Sequence, residues 1–220
     1  MTARHALLVK RCRKYAGLLL LLAAFSAAAE TAGERRWIIT MTWLPQAQFA
    51  GVYYAKEAGI FEKYGLSVEI RHKTAELSII DYLTQKRSEF IVAPLATALL
   101  ARSEKVPLVN IGQVSQSGAV MLVTAGKNGI RKAEDLKKPD AAGKPRRFSI
   151  WSVDFGMAPL AFLRKQGVAG EIVPLNTDIA LFLWGAVDVI SVMEYNEYYQ
   201  ILASGRQPAE LTVFRLRDYG

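Results

Sequence analysis

Thiol chemistry is nearly absent from this 220-residue chain, whose one cysteine, Cys12, lies among the basic residues at its start. Downstream of it there is no thiol to form a disulfide, act as a nucleophile or ligate a metal. Histidine is almost as scarce: beyond His5 there is only His72, which stands between Arg71 and Lys73 and reads as a solvated strand end. No pair of carboxylates, serine–histidine arrangement, phosphate-binding loop or metal-ligand spacing stands out, which favours binding over catalysis. Long apolar runs are missing too, and the Ala16–Phe25 stretch is shorter than the roughly 20 residues a membrane helix needs.

That stretch has a different reading. Arg4, Lys10, Arg11, Arg13 and Lys14 precede it, and Ala27, Ala28 and Ala29 follow, which is the pattern of a cleaved signal peptide over residues 1–29. Those residues carry five of the 28 lysines and arginines and none of the 20 acids, so the formal +8 falls to +3 without them. No dense basic stripe remains to neutralise phosphates, and a nucleic-acid partner is not expected. Lys144, Arg146 and Arg147 form a small cluster that reads as a solvated turn.

Over the whole chain, 51% hydrophobic and 22% charged composition suits one large or two small cores. Short apolar runs alternate with helical patterns, so an α/β protein with mainly parallel sheets is predicted. Strands are predicted at residues 37–41, 66–70, 90–93, 108–111, 120–124, 148–151, 172–174, 187–192 and 211–214. Helices are predicted over 48–57, 77–86, 130–138 and 159–166, with Gly59 and Pro139 as stops. The plan of IIDYLTQKRSEFIVAP is echoed in ALFLWGAVDVISVM, and two similar halves imply two lobes. The predicted division is lobe one at 30–112, lobe two at 113–208 and a return to lobe one at 209–220, which it leaves incomplete. Crossings are expected at Gln113–Gly118 and Ala203–Pro208, and the cleft between lobes is the default ligand site.

Candidate ligand residues follow from position and chemistry. Trp43, Gln46, Gln48, Phe49 and Tyr53 cluster where the first strand turns into a helix, and they combine flat faces with directional hydrogen bonding. Tyr54 and Phe61 fit the helix's packed side. Trp151 to Gly156 links a strand to a helix, where backbone N–H groups could hold a polar substituent and Gly156 could let a ligand approach. Asp154 fits either that role or a helix N-cap. Glu197 is either an acceptor for an amino edge or a solvated helix residue. Gln116, between Ser115 and Ser117, could reach a cleft ligand from the first crossing, or the segment is simply a turn.

The string WLPQAQFAGVYYAKEAGIFEKYGLSVEI, Trp43 to Ile70, resembles the SsuA/THI5-like (NMT1-like) periplasmic binding proteins, including their thiamine-pyrimidine-binding members. The resemblance continues through EFIVAPLATALLARSEKVPLVNIG, FSIWSVDFGMAPLAFLRKQG and VDVISVMEYNEYYQIL, covering nearly all of the chain after residue 30. It implies a type II periplasmic-binding fold of two α/β lobes, a pyrimidine-like ligand, delivery to an ABC transporter permease, export to the periplasm and a monomer without a cofactor. The family's W-x-P and aromatic helix fall on Trp43, Pro45, Phe49 and Tyr53, and its lobe-one turn falls on Ala93 to Thr97. The lobe-two turn falls on Trp151 to Gly156, and the Asn–Glu pair on Asn196 and Glu197, beside Tyr195. A related pyrimidine synthase that uses pyridoxal phosphate places a lysine and a histidine where this chain has Ala93 and Thr97, so no internal Schiff base is expected. The AAGKPRRF segment before Trp151 departs from the family's shorter turn. Domains of this kind also serve as sensors in signalling receptors, which is the alternative role.

Overall fold

The computed structural model describes residues 35–152, 155–175 and 178–219. Two sheets organise the chain. The first is parallel, in the order β2-β1-β3, with β1 at Arg36–Met41, β2 at Ser67–His72 and β3 at Phe90–Val92. Isoleucine and threonine in β1 favour the pleated conformation. Burial deepens along this strand until Thr40 and Met41 are fully enclosed. The Thr40 hydroxyl meets the hydroxyl of Ser88, and the Ile38 N–H donates to Glu89 at 2.9 Å, which ties β1 to the approach of β3.

Helix α1 spans Ala50–Glu57 after a 3₁₀ turn at Ala47–Phe49, and α2 spans Ile60–Lys63. Between them Gly59 adopts φ 65°, the left-handed conformation that ends a helix at little cost in glycine. Helix α3, Ile79–Thr84, opens with a reciprocal cap: Ser78 Oγ accepts from the Asp81 N–H at 3.2 Å while the Asp81 carboxylate accepts from the Ser78 N–H at 3.0 Å. Helix α4, Leu95–Ser103, follows β3 and leaves Leu95, Leu99 and Leu100 exposed.

The second sheet has the order β6-β5-β7-β4-β8, with β4 at Val120–Ala125, β5 at Arg147–Trp151, β6 at Glu171–Leu175, β7 at Val189–Met193 and β8 at Leu211–Arg215. It is mixed: β5 runs parallel to β6 and β7, while β4 is antiparallel to β7 and β8. Alternation along β4 sends Met121 and Val123 to one face and Leu122 to the other. Each face has its own core. One gathers Trp151, Ile190, Val192 and Ile201; the other gathers Phe148, Ile150, Phe162 and Phe214. All five residues of β7 are therefore buried. Helices α5 (Met157–Lys165), α6 (Ala180–Leu183) and α7 (Glu197–Ala203) cover the sheet.

Three expectations are corrected. Residues 209–220 were expected to return to lobe one, but β8 pairs with β4 in the second sheet, Leu122 opposite Phe214. The physical reason is burial: Leu211 enters one core of that sheet and Phe214 the other. The segment Ala203–Pro208 accordingly joins α7 to β8 within the second lobe instead of crossing between lobes. Residues 108–111 form no strand, and Val109 and Ile111 are exposed; this stretch belongs to the irregular connection that carries the chain from α4 to β4. Finally, Arg146 is not in a solvated turn. It is 8% exposed, with Nη1 3.2 Å from Asp188 Oδ1, Nη2 donating to the Asn128 carbonyl at 2.8 Å and Nε to that of Lys138 at 3.1 Å.

The proposed signal segment lies outside the described residues. Among the described residues no helix is long and apolar enough to cross a membrane. Nor does any cluster of His, Cys, Asp and Glu side chains there have the makings of a metal site.

Candidate functional site

The carboxyl ends of strands from both sheets converge on one cleft. Trp43 stands two residues past β1, Trp151 closes β5 and Met193 closes β7, and ligands of open α/β sheets bind at such ends. Gln46, Gln48, Phe155, Tyr195 and Glu197 complete the cleft's lining. The rings of Trp43, Trp151 and Phe155 form three mutually steep walls. Trp43 meets Trp151 with centroids 5.6 Å apart at 84° and Phe155 at 5.6 Å and 89°, and the last two are 6.3 Å apart at 71°.

Polar groups in this space divide into satisfied and unsatisfied ones. Four buried side-chain polar atoms of the described residues have no hydrogen-bond partner, on Thr42, Gln48, Ser149 and Trp151. Two of them belong to residues that line the cleft: Gln48 Oε1, an acceptor beside the first sheet, and Trp151 Nε1, a donor at the end of the second. Leaving a buried donor or acceptor unmatched costs about 1–3 kcal/mol, so such groups call for an explanation. Gln48 Nε2 is occupied, donating to Gln46 Oε1 at 3.1 Å.

Glu197 is 3% exposed. Its Oε2 accepts from the Met193 N–H at 2.7 Å, and its Oε1 accepts from the Asn196 amide, whose oxygen in turn accepts from Gln200 Nε2 at 3.0 Å. A carboxylate offers about four lone-pair sites, so both oxygens keep acceptor capacity. Burial, and after it the Glu197 charge, pushes the Tyr195 phenol up to about 12. Tyr195 is thus a neutral wall.

Of the residues expected to bind, Trp43, Gln48, Trp151, Tyr195 and Glu197 line the cleft together. Phe49, Tyr53, Thr97, Gln116 and Asn196 are not among its lining residues. Phe49 and Tyr53 instead flank His72, with ring centroids 6.0 and 6.1 Å from the imidazole. His72 pairs through Nε2 with the Tyr53 hydroxyl at 2.9 Å and through Nδ1 with the Trp43 carbonyl. It is half-buried and fastens the turn carrying Trp43, so its reading as a solvated strand end is also corrected. The β-register could have revealed this, because Met41 pairs with His72 and so places it beside the end of β1. Thr97 is buried on α4, Ala93 directly follows β3, and Gln116 is exposed. Asp154 lies outside the described residues.

Gly156 is under a constraint of its own. A Cβ there would lie 2.1 Å from the Trp151 carbonyl oxygen, so the missing side chain serves the chain's own tight turn after β5. Met193 and Phe155 were not singled out from the sequence. Met193 could have been found as the last residue of an apolar run that ends where other cleft strands end.

PhnD1 from Prochlorococcus marinus, in complex with methylphosphonate, superposes with a TM-score of 0.61 at 14% identity, covering 83% of this chain and 72% of that one. The periplasmic aliphatic sulphonate binding protein SsuA from Escherichia coli gives a TM-score of 0.60 at 16% identity over 83% of this chain and 60% of its own. The alkanesulfonate-binding protein SsuA from Xanthomonas axonopodis pv. citri, bound to MOPS, gives 0.55 at 19% identity over 83% and 61%. The chain thus spans about three fifths of the length of these two sulfonate-binding chains. Such likenesses establish the fold, which is the α/β type II periplasmic-binding fold. No match was found among curated protein sequences. The sequence profile described as NMT1/THI5 like matches residues 46–220, most of the chain, and the protein therefore belongs to the NMT1/THI5-like family.

Proposed function

We propose that this protein is a solute-binding protein that closes on a small, flat, polar molecule of the thiamine-pyrimidine type and presents it to an ABC transporter permease after export through residues 1–29. The observation that carries this reading is the unmatched pair of residues in an aromatic cleft: Trp151 Nε1 as donor, from the end of β5, and Gln48 Oε1 as acceptor, from the 3₁₀ turn that follows β1. A flat heterocycle with both an acceptor and a donor on its edge would satisfy both and stack on the neighbouring rings. A ligand that touches both lobes stabilises the closed form through its differential affinity.

Binding without turnover is supported by Ala93 and Thr97, neither of which can form a Schiff base with pyridoxal phosphate. A sulfonate or phosphonate, as named for the structural neighbours, is less well suited. Among the described residues no lysine or arginine lines this cleft, and Glu197 does. Native mass spectrometry of the exported protein, followed by calorimetry with hydroxymethylpyrimidine and formylaminopyrimidine, tests the reading. Retention of a heterocycle of that mass, or saturable binding of either compound, is the expected result. A co-purified alkanesulfonate with no response to the pyrimidines would overturn it.

A further inference from the structure

The Glu197 carboxylate raises a question that the pyrimidine reading leaves open. It is 3% exposed, and among the described residues no lysine, arginine or histidine forms an ion pair with it. Its two hydrogen bonds come from a backbone N–H and an amide, which are dipoles without net charge. An uncompensated charge in a low-dielectric pocket is unfavourable unless a counter-charge enters with the ligand.

The rest of the lining points the same way. Trp43, Trp151 and Phe155 have centroids separated by 5.6, 5.6 and 6.3 Å. These are edge-to-face contacts, so a ligand that parts the rings meets three aromatic faces, each of which attracts a cation held within about 6 Å of its centroid. Met193 and the neutral Tyr195 add polarisable surface without charge, and Gln46 and Gln48 add amides. Among the described residues none that lines the cleft is basic.

Resting on the reading of this cleft as a ligand site, we infer that its ligand is a small flat organic cation, held with its positive charge against the three rings and the Glu197 carboxylate. The unmatched Gln48 and Trp151 atoms would orient a polar substituent on the same ring. Anions are excluded by the carboxylate, and neutral heterocycles bind with part of the site's electrostatic complement unused.

The test separates charge from shape by using two flat amides of nearly equal volume, the cation 1-methylnicotinamide and its uncharged isostere 3-methylbenzamide. Benzenesulfonate serves as the anionic control and hydroxymethylpyrimidine as the probe of the underlying site. By calorimetry on the full chain the cation should bind about tenfold or more tightly than its isostere, and the ratio should fall toward unity in Glu197→Gln. Because Glu197→Gln also disturbs two hydrogen bonds, Phe155→Leu provides a second variant. There the cation should lose affinity more than the isostere does, with far-UV circular dichroism confirming the fold. Equal affinity for cation and isostere in the parent, or preference for benzenesulfonate, would overturn the inference, and binding of hydroxymethylpyrimidine in that case would leave the cleft reading standing. If none of the four compounds binds, the inference and the cleft reading fall together.

Discussion

Trp43 follows β1 of the first sheet and Trp151 ends β5 of the second, yet their indoles meet edge to face with centroids 5.6 Å apart and planes 84° apart. The contact joins the two lobes through the same rings that wall the cleft. Opening the lobes must separate an aromatic pair, which is worth about 0.5–1.5 kcal/mol beyond its buried area. A ligand entering between the lobes has to replace that contact.

Trp151→Phe tests the unmatched donor while keeping an aromatic face. The loss of one hydrogen bond to a bound heterocycle should weaken affinity by about 0.5–1.5 kcal/mol, roughly two- to tenfold in Kd. Stability should change little, because lost packing is offset by removal of a buried unsatisfied N–H. Tyr53→Phe is the contrast: its hydroxyl bonds to His72 behind the cleft, and affinity should stay within about twofold of the parent. Calorimetry and thermal melts on both variants check this pair.

Gly156→Ala places a methyl group against the Trp151 carbonyl oxygen, 2.1 Å from it before any adjustment. Backbone on both sides has to move. A destabilisation of about 1–3 kcal/mol or more is expected, with loss of ligand binding because Trp151 shifts with the turn. Urea denaturation measures the first effect. A variant as stable as the parent would show that this turn relaxes freely.

Arg146 and Asp188 form a largely buried pair that joins the start of β5 to the approach of β7, and Asp188 Oδ2 also accepts from the Arg147 N–H at 2.8 Å. Removing either partner leaves the other charge buried without compensation. Arg146→Ala and Asp188→Ala should each cost about 3–5 kcal/mol. The double variant should cost less than the sum of the two, and a double-mutant cycle in urea measures the coupling.

Asp135 confers a dependence on acid. Its carboxylate accepts from Lys138 Nζ at 2.8 Å and from the N–H groups of Arg131 and Lys132 at 3.0 and 3.1 Å, and these bonds, that of Lys138 foremost, lower its pKa from 3.8 to about 2. A depressed carboxylate stabilises the fold fully above its unfolded value, and that contribution is lost as pH falls through the folded one. The stability difference between the parent and Asp135→Asn should therefore be constant at neutral pH and shrink between about pH 4 and pH 2. Thermal melts across that range provide the measurement.

Much of this architecture is legible in the sequence because it is local. Apolar runs bounded by turn residues mark β1, β4, β5 and β7 to within two residues, and Gly59 marks the end of α1 through its need for positive φ. The W-x-P string and the Asn–Glu pair direct attention to Trp43 and Glu197, both of which reach the cleft. What the sequence could not determine is which sheet each strand joins. The Leu211–Phe214 pattern says only that a strand exists there, and its pairing with β4 follows from two cores that form only when distant segments meet. Direction within the aromatic helix is decided the same way. Phe49 and Tyr53 carry rings as well suited to stacking as those of Trp43, but the packing of α1 against β2 turns them toward His72. Side-chain type and backbone preference are properties of short segments, whereas which atoms end up buried and unmatched depends on contacts between segments far apart in the chain, and those are set by tertiary packing.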